Sequence, residues 1–190
     1  MNMNNKLSVH SIAGFCNEKA IWKMVADLSS NVLAEQLKTW IVINPGIVLV
    51  DGENFRIDAN IHEADIVEFY PPEGTENYGE EGYVWSLGAL VCYASSGHYV
   101  FGGQGGSYQH DHPKVELPTL RKEHTALTAI VKGCLCYSSS QRMKLRDLHD
   151  LALKGLASCD QTNRVKRLKE PGESRLPEYS DDVWPEIMDN

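Results

Sequence analysis

The residues with the clearest capacity for chemistry are two histidines around an aspartate, His110-Asp111-His112. Imidazole nitrogen and carboxylate oxygen bind zinc and other transition metals, so the triplet is a candidate metal site. Residues so close in sequence rarely complete a coordination sphere, and a further ligand such as His98 or His124 would be required. We favour an exposed polar loop without metal. A metal-dependent enzyme of unrelated chemistry, using His110 and His112, stays open as an alternative.

A glycine-rich segment, Gly102-Gly103-Gln104-Gly105-Gly106, could be taken for a phosphate-binding loop. Such a loop joins a strand to a helix and is followed by a lysine, and neither feature is evident here. The composition therefore predicts a flexible loop. The sequence predicts no cofactor.

Cysteine usage bears on compartment and on nucleophilic chemistry. The chain has five cysteines, at 16, 92, 134, 136 and 159. An odd number without framework spacing argues against a disulfide scaffold and for a reducing compartment, so we expect a cytoplasmic protein. Cys134 and Cys136 are best interpreted as thiols in a core helix. Cys134 with His149 could imitate a thiol nucleophile and its base, but no orienting group accompanies them.

The negative charge of the chain is concentrated in one segment. No lysine or arginine occurs between Arg56 and Lys114, whereas nine of the 26 acids do; the other 17 acids are balanced by 18 basic residues. Phosphates would be repelled, which disfavours nucleic acid, and the local field permits a basic protein or peptide partner. A solvated acidic loop without a partner is the competing interpretation. The candidate partner contacts are Glu63, Asp65, Glu68, Glu76, Glu80 and Glu81.

Length and hydropathy favour one soluble domain. The chain has 190 residues, 42% of them hydrophobic. No apolar run approaches the ~20 residues that a membrane-spanning helix needs, so we expect no membrane association.

Apolar spacing predicts the elements of the first third of the chain. Asn17 is a plausible N-cap for an amphipathic helix running to about residue 39. β-branched runs at 41–43 and 47–50 and a third short extended piece at 55–57, separated by turn signals, predict three short strands that must lie against helices.

The rest of the chain reads as helices joined by irregular segments. We expect a loop over 60–82, a helix apolar on every side and therefore buried over 84–94, and an irregular stretch over 97–113. Two further helices are predicted at about 120–134 and 142–153, the second ending at Gly155 as C-cap. This gives a segment 1–16, a domain 17–157 and a charged, partly disordered tail 158–190. Trp184 in the tail is a further candidate partner contact.

Five phrases, in chain order, resemble the C-terminal lobe of protein kinases: PGIVLVD at 45–51, FRI at 55–57, YPPE at 70–73, VWSLGAL at 84–90, and the helical segment from Leu127 to Arg142. In that family the third phrase is Ala-Pro-Glu and the fourth opens the central buried helix. The resemblance, over about residues 17–155, implies a mainly α (α+β) fold with a few short strands. It also implies a buried ion pair between Glu73 and Arg142.

The same resemblance implies that phosphoryl transfer is lost. The aspartate that accepts the substrate proton falls on Val42, the metal-binding asparagine on Ile47, and Asp-Phe-Gly on Ala59-Asn60-Ile61. The chain before Asn17 is also too short for an N-terminal lobe.

We therefore expect no catalytic residue. The expected role is that of a pseudokinase-like interaction or regulatory module, similar in concept to the kinase non-catalytic C-lobe domain. A regulatory subunit that docks on a separate chain is the remaining alternative.

Overall fold

The computed structural model describes residues 17–35, 41–58, 66–76 and 78–169. The helices and strands are α1 (Glu18–Glu35), β1 (Val48–Asp51), β2 (Asn54–Ile57), α2 (Glu80–Ser96), α3 (Gly105–Asp111), α4 (Thr128–Cys134) and α5 (Leu145–Lys169). Single 3-10 turns lie at Val67–Phe69, Val100–Gly103, Lys122–Leu127 and Ser139–Gln141. The fold is mainly helical with one small antiparallel sheet, in agreement with the coarse class that the sequence predicts.

α1 begins where its N-cap predicts. The side-chain oxygen of Asn17 accepts a hydrogen bond from the backbone N–H of Ala20 at 2.8 Å, which satisfies one of the free amides of the first turn. One face of α1, with Ile21, Met24 and Leu28 fully buried, lies in the core. The helix is described to Glu35, and its predicted end near residue 39 lies outside the described residues.

The sheet is a two-stranded hairpin supported by α1. β1 and β2 pair with Val50 opposite Phe55, and two side chains of α1 accept hydrogen bonds from the amides of β2. Asp27 accepts from Phe55 N at 2.9 Å, and Asn31 accepts from Ile57 N at 3.0 Å. Because these acceptors are one helical turn apart on α1, they fix the outer edge of β2 against the helix.

The prediction of a strand at 41–43 was wrong. The segment has no regular secondary structure and pairs with no described strand, and Ile43 is fully buried. Asn44 ends it: its side-chain Nδ2 donates to Val42 O at 3.1 Å, and its Oδ1 accepts from Gly46 N at 2.8 Å. This local turn satisfies the backbone that a third strand would otherwise pair.

α2 is the central helix of the molecule. All residues from Gly82 to Ser95 are buried, as the all-round apolar pattern over 84–94 predicts. The helix packs against α1, α4 and α5. A methyl group on Gly88 would lie 2.5 Å from Cys134 Cβ, so this glycine sets the close approach of α4. The C-terminus is closed by Gly97 in the left-handed conformation (φ 77).

The irregular stretch expected over 97–113 contains a helix, α3, and its last glycines are not a flexible loop. Gly105 and Gly106 are buried, and a Cβ on Gly106 would lie 2.3 Å from the Pro71 carbonyl carbon. Glycine is used here for close contact between two backbones. Before α3, Phe101 adopts φ 50 and ψ 43, a left-handed conformation that costs a non-glycine residue roughly 1–2 kcal/mol.

The helix predicted at 120–134 is divided into a 3-10 turn (Lys122–Leu127) and α4. The break lies at His124 (φ −114, ψ 23), whose ring turns inward. His124 Nδ1 lies 2.8 Å from the hydroxyl of Ser95 on α2, and both side chains are buried. The hydrogen bond to α2 accounts for the departure from helical geometry.

The last helix does not end at Gly155, and that prediction was wrong. α5 runs through Gly155 to Lys169, so the helix crosses the proposed boundary between domain and tail at 157/158. A Cβ on Gly155 would lie 2.3 Å from the indole of Trp22 on α1, so the glycine makes room for a neighbouring ring. The segments 1–16 and 170–190 lie outside the described residues. No helix in the described part is long and apolar enough to cross a bilayer.

Candidate functional site

The strongest polar contact in the described structure is a two-pronged ion pair between Arg142 and Glu73. Arg142 Nη1 and Nη2 each lie 2.6 Å from one carboxylate oxygen of Glu73. The arginine side chain is fully buried, whereas 26% of the Glu73 side chain is exposed. The structure therefore contains the ion pair that the sequence predicts, and the pair joins the 71–74 turn to the segment before α5.

Arg142 is satisfied beyond that pair. Nη1 also donates to Glu81 O at 3.0 Å, Nη2 to Tyr137 O at 3.2 Å, and Nε to Cys136 O at 2.9 Å. With the two bonds to the carboxylate, these contacts use all five donors of the guanidinium. A buried cation with every donor paired is a rigid junction, and it leaves no donor for a ligand.

Two predicted partner contacts, Glu80 and Glu81, instead bind the start of α5. Glu80 Oε1 accepts from Leu145 N at 3.0 Å, and Glu81 Oε1 accepts from Lys144 Nζ at 3.1 Å. The pKa of Glu81 is lowered, first by the N–H of its own backbone at the start of α2 and then by Lys144. Both carboxylates therefore have structural partners within the domain.

The other acidic candidates are distributed differently. Glu76 is exposed and Glu68 is half-buried. Glu63, Asp65 and Trp184 lie outside the described residues. Within the described part of the acidic segment, Glu68, Glu76 and Asp111 are the carboxylates that reach solvent without a hydrogen bond to another element.

The positions that the kinase resemblance assigns to catalysis carry aliphatic side chains. Ile47 is 2% exposed and belongs to the core, and Val42 packs against the same core at its edge. Neither side chain can accept a proton or bind a metal ion. The third position, Ala59-Asn60-Ile61, lies outside the described residues.

The candidate metal triplet is not assembled into a site. His110, Asp111 and His112 are exposed at the end of α3, and the His112 ring stacks on Tyr108 at 4.3 Å between centroids. His110 instead faces the ring of Tyr137 at 6.3 Å. Within the described ranges, no group of three or more histidine, cysteine, aspartate or glutamate side chains could hold a metal ion.

The two further ligands that such a site would need are also engaged elsewhere. His98 is exposed, and its Nδ1 lies 3.0 Å from Ser96 O. His124 is buried against Ser95. The alternative of a metal centre at 110–112 therefore has no support among these histidines.

Cys134 and His149 are not brought together as nucleophile and base. Cys134 is fully buried, and burial raises the pKa of its thiol. His149 Nδ1 lies 3.1 Å from both Ser29 Oγ and Ala26 O on α1, so its ring is used in packing α5 on α1. Burial also raises the pKa of Cys92, to about 12, which keeps that thiol protonated.

Sequence reasoning missed Gln109, which links three elements from within the core. Its Oε1 accepts from Trp85 Nε1 at 3.1 Å, and its Nε2 donates to Leu135 O at 2.6 Å. Glutamine is usually exposed, so only the proximity of a buried tryptophan, whose N–H needs an acceptor, could have suggested the role.

A scan against protein-family models finds no match, and a search of the curated proteins finds none. The class of the fold therefore rests on the geometry of the described residues.

Proposed function

We propose that this chain is a non-catalytic interaction module with a fold like the C-terminal lobe of a protein kinase, and that it binds a basic protein or peptide. The observation that carries the first half is the burial of Ile47 in the core, at the position of a metal-binding residue in kinases. An aliphatic side chain there cannot hold the metal on which phosphoryl transfer depends.

Two features support the likeness to a kinase lobe. The elements occur in the expected order: a helix, a hairpin, a turn with Glu73, a buried central helix and later helices. The fully paired Arg142 joins that turn to the later helices. Both are structural features and carry no activity by themselves.

The charge distribution supports the second half of the proposal. Glu68 and Glu76 reach solvent in a segment, 57–113, that has no lysine or arginine. A basic ligand would be attracted by this local field, and the attraction would weaken as salt screens it. The four thiols in the described part of the chain are free, and we propose the reducing cytoplasm as the compartment.

Nucleotide binding tests the non-catalytic half. We expect no change in the thermal midpoint of the protein with ATP and magnesium. A protein kinase of known nucleotide affinity, measured in parallel, provides the control. A clear upward shift for this chain would contradict the proposal, since a ligand that binds the folded state stabilises it.

Peptide binding tests the other half. A labelled lysine-rich peptide should bind at low salt and dissociate as salt is raised. Glu68→Lys and Glu76→Lys should each weaken binding about three- to tenfold. Glu116→Lys, an exposed acid outside the segment, is the matched control. Absence of binding at low salt, or equal affinities for all variants, would contradict an acidic binding surface.

A further inference from the structure

A strained backbone lies just before α3, in the 3-10 turn Val100–Gly103. Phe101 is the one non-glycine residue with positive φ among the described residues. Its neighbours Gly102 and Gly103 also have positive φ, and a glycine at 101 would adopt the same backbone without strain. The Phe101 ring is half-buried: it packs against the hydrophobic core, and part of it stays exposed.

The ring of Phe101 is the first of three stacked rings at the surface. It lies 6.1 Å from Tyr108 between centroids, with 23° between the planes, and Tyr108 lies 4.3 Å from His112, with 22° between the planes. Tyr108 lies on α3, and His112, the residue that caps its C-terminus, donates its backbone N–H to Tyr108 O at 2.9 Å, which holds the two residues together. We call these three residues the aromatic ledge.

Two residues with carboxylates, Glu68 and Asp111, and one exposed valine belong to elements that form the ledge or pack against them. Asp111 is exposed and three residues after Tyr108 on α3. The 3-10 turn containing Glu68 packs against the start of α3: a Cβ on Gly105 would lie 2.9 Å from Glu68 O. Val67, in the same turn, is 53% exposed and adds one apolar side chain to this surface.

We propose that the aromatic ledge, with Glu68 and Asp111, is the docking site for an arginine-bearing peptide. A guanidinium can stack on an aromatic face while it forms hydrogen bonds with a carboxylate. Lysine, as a compact and strongly hydrated charge, uses such a surface less well. The proposal rests on the proposed function and names the surface and the side chain that the partner supplies.

The experiment compares two probes and four variants by fluorescence anisotropy. The probes are a fluorescein-labelled peptide of Arg-Gly-Gly repeats and the same peptide with lysine for arginine. We expect the arginine peptide to bind the parent protein about fivefold or more tightly than the lysine peptide. Phe101→Gly should weaken the arginine peptide about tenfold, because it removes the ring; the thermal midpoint is measured alongside, since the change removes both core packing and backbone strain.

Two variants keep the test decisive if Phe101→Gly fails to fold. His112→Ala shortens the ledge, and Asp111→Asn removes its carboxylate charge; both residues are exposed, and both changes should weaken the arginine peptide several-fold. Leu153→Ala, which truncates an exposed apolar residue on α5, is the control and should bind like the parent.

The outcomes separate this inference from the proposed function. If both peptides bind equally well and the ledge variants bind like the parent, the ledge is not the site, although basic-peptide binding stands. If neither peptide binds the parent protein at low salt, both proposals are wrong. Loss of the arginine preference in the ledge variants, with the control unchanged, would establish the site.

Discussion

The two ends of α2 differ in how their polar groups are used. At its N-terminus, Glu80 and Glu81 bind the start of α5, and Arg142 is buried with every donor paired. Beyond its C-terminus, the chain runs through a strained Phe101 and exposes rings and a carboxylate. One end is closed by ionic contacts within the domain, whereas the other leaves groups of the same acidic segment facing solvent.

The acids that are concentrated in one segment of the sequence therefore do not form one surface in the structure. Carboxylates near the start of α2 are structural, because basic groups from the end of the chain meet them. Those near the 3-10 turn at Val67–Phe69 and at the end of α3 have no such partner in the described contacts. A binding role is therefore expected at the second end of α2 and a stability role at the first.

The largest effect is expected from Arg142→Ala. Its removal leaves Glu73 and three carbonyl groups without their donor, and we expect the free energy of unfolding to fall by about 3–5 kcal/mol in urea denaturation. Arg142→Lys should be intermediate, because an ammonium group cannot reproduce the two-pronged contact. If the alanine variant and the parent had equal stabilities, the contrast between the two ends would have no energetic basis.

Gly106→Ala tests the contact that ties α3 to the turn at Pro71. The added methyl would meet backbone atoms that have no room to move, so we expect a loss of about 1–3 kcal/mol. Gly79→Ala is the matched control, because a Cβ there would meet only a side-chain oxygen at 3.8 Å. Equal tolerance of both changes would mean that α3 is loosely attached.

Glu80→Ala removes the side-chain acceptor at the start of α5. We expect a loss of about 1 kcal/mol, the usual value for a helix cap, measured by thermal or urea denaturation. Glu76→Ala, at an exposed position of the same acidic segment, should leave stability within experimental error of the parent. If Glu76→Ala lowered stability more than Glu80→Ala, the structural role assigned to the Glu80 carboxylate would be wrong.

The smallest effect concerns the pH dependence of stability. The pKa of Glu81 is lowered in the folded state, so its contribution is present above its ordinary value of 4.5 and is lost as the pH falls through the lowered pKa. We expect Glu81→Gln to have a flatter decline of stability in acid than the parent. If the free energy of unfolding declined equally steeply in acid for the two proteins, the protonation of Glu81 would not be coupled to folding.

Part of this arrangement was predictable from the sequence. An N-cap at Asn17 and a helix buried on every side each have a local or spacing signal, the pairing of Glu73 with Arg142 is implied by the kinase resemblance, and all three are present. The contrast between the ends of α2 had no such signal. In the sequence, Glu80, which caps a helix that begins 65 residues later, cannot be distinguished from a glutamate that faces solvent.

Glycine accounts for two of the predictions that the structure corrects. The pattern predicts a helix end at Gly155 and a flexible loop at Gly106, but both glycines make room for a neighbour, an indole in one case and a backbone in the other. A glycine can serve conformational freedom or the close approach of a neighbour, and the sequence looks the same in both cases. Only the tertiary contact distinguishes the two. The aromatic ledge was missed because Phe101 gives no sign in the sequence of its left-handed backbone.

The contact between Gly155 and Trp22 has a consequence for synthesis of the chain on the ribosome. The indole belongs to the first described helix and its partner glycine to the last, with the ion pair Lys19–Asp160 beside them at 2.7 Å. The apolar face of α1 also packs against β2 and α2, and it is completely covered only after α5 has left the exit tunnel. Nascent chains halted while α5 is still inside the tunnel should expose part of that face and be bound by chaperones, whereas chains in which all of α5 has emerged should be released.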